Sequence, residues 1–464
     1  MTEPVSANPI AAGLAAIFSP AELLLDEASR WTYGYDNSKQ HGLPDAVVLP
    51  RDGAQLQALV RWAAANRVPL TARGRGSATT GAAVPVNGGV VVSFERMNQI
   101  LEVSIEDRLA VVQPGVLNGD LQQALAPHGF FWPPDPTSAA YSTVGGNLAC
   151  NAGGPRTVKY GASRDNVLGL TVVTGDGELL RSGSRTTKGS VGYDLTRLLV
   201  GAEGTLGLIV DATLKLIPLP RRRRPLRALY ADVSSAALAV SRLMAQPTTP
   251  SALEFMDSAA LALVRQDPNV RLPEQGAALL LLEVDGDEDD LDRAQRAVEA
   301  AACGPGLVEF AAATDEEEAS RLWAARKALS PCLRAVAPNK VNEDVVVPVS
   351  KIPALVDGLA RLSERFGVRI VNFGHAGNGN LHVNLLYDHA DPDQRAAVAA
   401  CLPEVFALVF ELGGTLSGEH GIGTAKRAFM RQALSAQTLA MMEGVKQVFD
   451  PAGIFNPGKV LPDG

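Results

Sequence analysis

Two short segments of this 464-residue chain hold the residue types from which a metal or acid–base site can be built. GHAGNGNLHVN runs from Gly374 to Asn384 and SGEHGIG from Ser417 to Gly423, and three of the 6 histidines, His375, His382 and His420, lie in them. His375 and His382 flank a turn-forming GNGN, so a hairpin folding back on itself would carry both rings from strand ends to one point. Glu419 can supply a third, anionic ligand. Two neutral imidazoles and one carboxylate leave a coordination position open, which a catalytic divalent metal needs in order to hold water or substrate. His420 would then serve as a base, and Asn384, two residues beyond His382 along a strand, should face the same site. A single histidine beside a turn is more simply a hydrogen-bonded loop residue. The coincidence of ligand and turn types in two segments argues for a site.

The elements that must position these residues are those of a large globular protein. Its length suggests two or three domains, and 46% hydrophobic with 20% charged residues excludes bulk disorder. A net charge of −8 argues against a nucleic-acid binder, and the one basic run, Arg221 to Arg224, has no aromatic interleaving. It reads as a solvated linker, or more sharply as a docking patch for an acidic electron-transfer partner. Cys150, Cys303, Cys332 and Cys401 are widely spaced, so neither a disulfide framework nor a cysteine metal site is expected. With acidic Glu3, no signal-peptide pattern and no long apolar run, the expected location is cytoplasmic.

Along the first half, Ser19-Pro20-Ala21-Glu22 predicts a capped short helix, and Gln55 to Asn66 an amphipathic helix with Leu56, Leu59, Val60 and Ala63 on one face. The strand Val68 to Ala72 feeds a glycine-rich loop, Arg73 to Gly81, that could cradle a pyrophosphate. It is not the GxGxxG fingerprint, because Thr79 replaces the last glycine. Further Gly-, Pro- and Thr-rich stretches at Pro133 to Thr137, Thr143 to Pro155 and Gly201 to Gly207 can line an extended cofactor. Leu168 to Thr174 and Glu178 to Arg181 predict a hairpin. In the second half, Leu226 to Val233 and Ala277 to Val284 predict strands, and Asp287 to Ala302 a helix with a solvated acidic start over Asp285 to Asp292. Thr314 to Glu317 predicts a capping box opening a helix that Pro331 closes, with Lys340 leading into a strand at Val345 to Val347.

The ordered set RGRGSATTG, PPDPTS, TVGGNLACNAGGPR, KYG, GYDLTRLLVGAEGTLG, GHAGNGNLHVN, SGEHGIG and FNPGKVLP resembles the FAD-dependent D-2-hydroxyacid dehydrogenases of the vanillyl-alcohol oxidase-type flavoprotein superfamily. That group includes D-lactate dehydrogenase, D-2-hydroxyglutarate dehydrogenase and the flavin subunit of glycolate oxidase. The resemblance implies an α+β fold: a split FAD-binding domain over 1–222 and 411–464, with an antiparallel-sheet substrate-binding cap domain over 223–410. It implies FAD contacts at Ala72, Arg73, Gly74, Arg75, Gly76 and Ser77, then Pro134, Asp135, Thr143, Gly146 and Asn147, and finally Gly153, Gly154, Gly204 and Ile209. Ser77 replaces the histidine through which some relatives tether flavin, so FAD should be non-covalent. It also implies that Arg326, with Ser330 and Lys340, binds substrate carboxylate; Arg326 and Ser330 share one helix face. The family's usual aspartate in GHxGDGN is Asn378 here, which weakens the expected metal affinity.

The expected chemistry is oxidation of a D-2-hydroxy acid to the 2-oxo acid. A divalent metal, zinc by expectation, on His375, His382 and Glu419 would lower the pKa of the substrate hydroxyl, with His420 accepting its proton and hydride passing to flavin. Arg326 would fix the C1 carboxylate, and Lys340 that or a distal one. Electrons would leave to a quinone, a cytochrome or an electron-transfer flavoprotein, and a homodimer is compatible with the reading. Two other readings remain: a flavin-binding subunit of a glycolate oxidase-like complex, and a non-redox transferase related to ether-lipid synthase.

Overall fold

The structure, a computed structural model, describes residues 9–268 and 270–463, with the side chain of Ser330 also outside the described set. The chain divides into two compact units. The first comprises Met1–Gly153, Gly161–Leu219 and Glu419–Gly464; the second comprises Gly154–Tyr160 and Pro220–Gly418.

In the first unit the helix Gly53–Asn66 starts where the Asp52 side chain accepts the Gln55 N–H and ends at Arg67 in the left-handed conformation. Its apolar face, Leu56, Leu59, Val60 and Ala63, is buried against a four-stranded sheet. There Leu70–Arg73 runs parallel to Val90–Ser93, which in turn runs parallel to Ala46–Val48. The chain end joins the free side of Leu70–Arg73: Leu70 N–H donates to Ile454 O at 2.8 Å and Asn456 N–H to Leu70 O at 2.8 Å, with Phe455 fully buried. A second, five-stranded antiparallel sheet contains the hairpin Val167–Val173 and Leu179–Gly183.

Residues 19–22 form a turn rather than the expected helix. The capping contacts are made, since Ser19 N–H and Oγ both donate to the Glu22 carboxylate at 2.9 and 2.8 Å. Leu23–Leu24 then pairs with Val47 and Val48, so sheet pairing takes the residues a helix would have needed.

The second unit is built on a seven-stranded antiparallel sheet in the order Leu307–Ala312, Arg222–Tyr230, Ala278–Gly286, Ala252–Met256, Arg369–Gly374, Asn380–Tyr387 and Asn339–Val346. Leu229, Met256, Leu279, Leu281, Val371 and Phe373 point to one face, where the helices Ser258–Val264 and Glu316–Val336 cover them. Tyr230 points the opposite way and donates to Ala302 O at 2.8 Å, at the end of the helix Glu288–Ala302.

Three local expectations are corrected here. The basic run is not a linker: Arg222–Tyr230 is a strand in register with Ala278–Gly286, and Arg224 pairs with Asp292 at 2.8 Å while Arg221 and Arg222 face Asp287 and Glu288. Three of its four charges face acidic residues at the start of the helix Glu288–Ala302. Asp285 is not part of that solvated start; it is buried, bonded to Lys159 and, at 2.6 Å, to the Tyr160 hydroxyl. Pro331 does not close its helix, which continues to Val336 because Leu329 and Leu333 on either side are buried in the apolar cluster. The cap of that helix is Asp315, which accepts the Glu318 N–H at 2.7 Å, while Glu318 reaches back to Thr314. Among the described residues no helix is long and apolar enough to cross a membrane.

Candidate active site

The hairpin Arg369–Gly374 and Asn380–Tyr387 brings the two predicted imidazoles together. His375 follows the first strand, His382 lies in the second opposite Phe373, and the two rings stand edge to face with centroids 5.1 Å apart. Both are buried. The turn requires glycine at Gly379, where φ is +75° and a Cβ would stand 1.8 Å from Val347 O. Asn378 is exposed on this turn and donates its N–H to His375 O at 3.0 Å, so its side chain points away from the rings.

Glu254, from the neighbouring strand Ala252–Met256, orients His375 and Arg326. One carboxylate oxygen lies 2.5 Å from His375 Nδ1 and the other accepts Arg326 Nε at 2.6 Å. Burial alone would raise the Glu254 pKa, but the positive charge and hydrogen bonds of His375 and Arg326 outweigh it and hold the carboxyl well below the usual range. A carboxylate on Nδ1 selects the tautomer that presents Nε2 as the ligand nitrogen, which fits a metal-binding imidazole. The Arg326 guanidinium lies over the Phe373 ring, 5.0 Å from its centroid.

The third strand of the patch, Asn339–Val346, faces His382 and Asn384 in register, with Asp344 opposite His382 and Asn342 opposite Asn384. Lys340, itself in this strand, donates to Asn384 Oδ1 at 3.2 Å. Asn384 is fully buried and donates to Val371 O at 3.2 Å and His382 O at 3.1 Å. Asp344 accepts from Asn380 Nδ2 at 2.6 Å, Ser417 Oγ at 3.0 Å and Gly418 N–H at 2.9 Å, and lies 3.8 Å from His382 Nδ1. Thus Arg326, Lys340, His375, His382 and Asn384 meet on one side of one sheet. Ser330 is on the Arg326 helix, but its side chain lies outside the described residues. Glu419 and His420 belong to the first unit, Glu419 being joined to Gly418 by the peptide bond at the division.

Sequence reasoning missed Glu254 and Asp344. The signal was present for Glu254: a lone carboxylate in a strand whose other residues, Ala252, Leu253, Phe255 and Met256, are all buried and apolar.

In the first unit the glycine-rich loops converge. A Cβ at Gly74 would stand 2.3 Å from Thr143 Oγ1, and one at Gly204 would stand 3.2 Å from Ala72 Cβ. Gly76 is in the left-handed region, and Arg73 donates to Tyr35 O. Pro134 O accepts Asn118 Nδ2 at 2.9 Å, and Thr143 caps the helix Val144–Ala149. Thr79 Oγ1, Ser142 Oγ and Asn147 Nδ2 are buried without a hydrogen-bond partner among the described residues, as polar groups awaiting a ligand would be. Gly74, Arg75 and Thr143 also line a cavity of about 210 Å³ with Glu95, Asn98 and Asp120. Ile209 sits at a bulge of the strand Leu208–Lys215, Gly153 ends a segment of the first unit, and Gly154 begins the second unit.

Residues 44–183 match the family model "FAD binding domain" and residues 219–460 the model "FAD linked oxidases, C-terminal domain". Solved structures with the same fold include p-cresol methylhydroxylase (TM-score 0.81, 16% identity, 98% of this chain and 97% of that one). A second is 4-ethylphenol oxidase from Gulosibacter chungangensis (TM-score 0.76, 21% identity, 100% and 99%). The fold is therefore that of the vanillyl-alcohol oxidase-type flavoproteins.

Among curated relatives, the glycolate oxidase subunit GlcD of Bacillus subtilis is 39% identical over 435 residues, 94% of this chain and 93% of that protein. The D-2-hydroxyglutarate dehydrogenase of Stutzerimonas stutzeri is 37% identical over 456 residues, covering 97% and 98%. The D-lactate dehydrogenase of Anaerostipes hadrus is 35% identical over 456 residues, covering 95% of each. The chain belongs to the FAD-linked oxidase family, in the group of GlcD, D-lactate dehydrogenase and D-2-hydroxyglutarate dehydrogenase.

Proposed function

We propose that this FAD-linked oxidoreductase is a dehydrogenase of D-2-hydroxy acids, of the D-2-hydroxyglutarate or D-lactate type. The observation that carries the reading is the line Arg326–Glu254–His375, its Glu254 and His375 buried, with His382, Asn384 and Lys340 on the same side of the sheet. It places two fixed cations beside two imidazoles, which suits an anionic substrate with an oxygen next to its carboxylate.

FAD, held non-covalently by the glycine-rich loops of the first unit, supplies the two-electron acceptor. A divalent cation, zinc by preference, would be held by His375, His382 and Glu419 and would supply Lewis acidity at the substrate hydroxyl. Arg326 spends Nε on Glu254, and its two terminal nitrogens have no hydrogen bond among the described residues. They are the natural partners of the C1 carboxylate. Lys340, steadied by Asn384, can meet a distal carboxylate. His420 takes the hydroxyl proton as the C–H bond breaks. Electrons then leave to a quinone, a cytochrome or an electron-transfer flavoprotein.

The test is anaerobic flavin absorbance during addition of D-lactate, D-2-hydroxyglutarate, glycolate and the L-acids. Bleaching by one D-acid, abolished by chelator and restored by a divalent metal, is expected. No bleaching in metal-replete protein would overturn the reading. A second reading, a flavin subunit working within a larger complex, is favoured by the 39% identity to the GlcD subunit. It predicts copurifying partners and activity only in their presence.

A further inference from the structure

We propose that Glu203 is a positioning residue that fixes the backbone carrying His420, an inference that rests on His420 being the base. Glu203 lies in the glycine-rich loop 201–207 with φ +51°, a left-handed conformation unusual for a residue with a side chain, and is 5% exposed. Both of its backbone groups are engaged. Its N–H donates to Ala149 O at 2.8 Å, and its carbonyl accepts Asn456 Nδ2 at 2.7 Å. The backbone conformation thereby aims the side chain at the segment that follows His420.

There one carboxylate oxygen accepts the Ile422 N–H at 2.7 Å and the other the Gly423 N–H at 2.8 Å. Between them and His420, Gly421 is pressed so closely that a Cβ would stand 2.7 Å from the carboxylate. Thr80 holds the same stretch through other atoms: its hydroxyl donates to His420 O at 3.1 Å, and its carbonyl accepts the Thr424 and Ala425 N–H groups at 2.9 and 3.1 Å. Two residues from separate cofactor-binding loops therefore clamp 420–425 from both ends, all within the first unit.

Ile422 and Gly423 are both bound by the one Glu203 carboxyl group, one N–H to each oxygen. Burial pushes the Glu203 pKa up, and the two N–H groups with Lys459 and Lys426 oppose that rise without cancelling it. Two bonds to one side chain restrain a backbone more than a single bond does, which suits a segment that must hold an imidazole in place. Glu203 itself touches neither substrate nor proton in this scheme.

The experiment combines Glu203→Gln with His420→Ala in the FAD- and metal-loaded protein. An amide oxygen can keep one N–H but sets an NH₂ against the other. Alone, Glu203→Gln should slow flavin reduction on the order of 100-fold with the Michaelis constant and bound FAD unchanged, since the acid-binding groups are untouched. In the His420→Ala background it should add less than about twofold, because it acts through the residue already removed. Hydrogen-exchange protection of the Ile422 and Gly423 amides should fall selectively. Gly421→Ala, which drives a methyl group against the carboxylate without removing it, should reproduce the same pattern if Glu203→Gln does not fold. A wild-type rate, unchanged amide protection, or an undiminished effect in the His420→Ala background would overturn the positioning role. A normal rate in His420→Ala alone would instead overturn the base assignment.

Discussion

His375 Nδ1 and a Glu254 carboxylate oxygen meet at 2.5 Å inside the seven-stranded sheet, while the second oxygen takes Arg326 Nε at 2.6 Å. One anion thus orients an imidazole and a guanidinium together, and the state of either partner is felt by the other.

Replacing that anion tests the arrangement directly. Glu254→Gln leaves only one acceptor for two donors and a partly buried guanidinium without its counter-charge. Metal affinity, read by competition with a chromogenic chelator, should fall about 10–100-fold. Chemical unfolding should show a loss of about 3–5 kcal/mol. Unaltered affinity and stability would show that His375 is oriented by something else.

Arg326→Lys keeps the charge and loses the planar fork. An ammonium cannot serve Glu254 and a carboxylate from separate nitrogens, so the Michaelis constant for the acid should rise roughly 10–100-fold, with kcat changing less. Steady-state kinetics with a dye acceptor would decide it. A larger fall in kcat than rise in KM would place Arg326 at the reacting atoms instead.

Asp257 gives the second unit a distinct pH dependence. It accepts the Ala260 and Asn372 N–H groups at 2.8 Å each and Asn372 Nδ2 at 2.9 Å, but burial dominates and pushes its pKa up to about 6. A carboxyl whose folded pKa is raised binds its proton more tightly in the native state. Its contribution is complete below about pH 4 and is lost as pH rises through about 6, on the order of 3 kcal/mol. Between pH 4 and 7 the wild type should therefore lose stability relative to Asp257→Asn, measured by urea unfolding at each pH; parallel curves would refute it.

The segment Gly154–Tyr160 is held to the second unit by Asp285, which binds both Lys159 and the Tyr160 hydroxyl. Tyr160→Phe removes one hydrogen bond to a buried carboxylate and should cost about 1.5–3 kcal/mol. Limited proteolysis within 154–160 should speed up correspondingly in the variant. Equal cleavage rates would mean that Lys159 and the Arg156–Glu283 pair anchor the segment without the Tyr160 hydroxyl.

Local patterns in the sequence carried the elements that local chemistry can specify. The apolar spacing of Leu56, Leu59, Val60 and Ala63 defined a helix face, and glycine and asparagine between His375 and His382 defined the turn joining their strands. Both depend on contacts a few residues apart. Ser19 to Glu22 shows the limit: the capping hydrogen bonds form, yet pairing of Leu23–Leu24 with a strand over twenty residues away decides the conformation.

By itself, then, the sequence determined the hairpin that joins His375 to His382 and the shared face of His382 and Asn384, because turn chemistry and strand alternation are local. Only the tertiary structure decided that Glu254, 121 residues before His375, is its partner, that Lys340 reaches Asn384, and that the helix runs through Pro331. The order and register of non-consecutive strands set those contacts, and burial of Leu329 and Leu333 outweighed the local cost of a proline, so short-range patterns carried no trace of them.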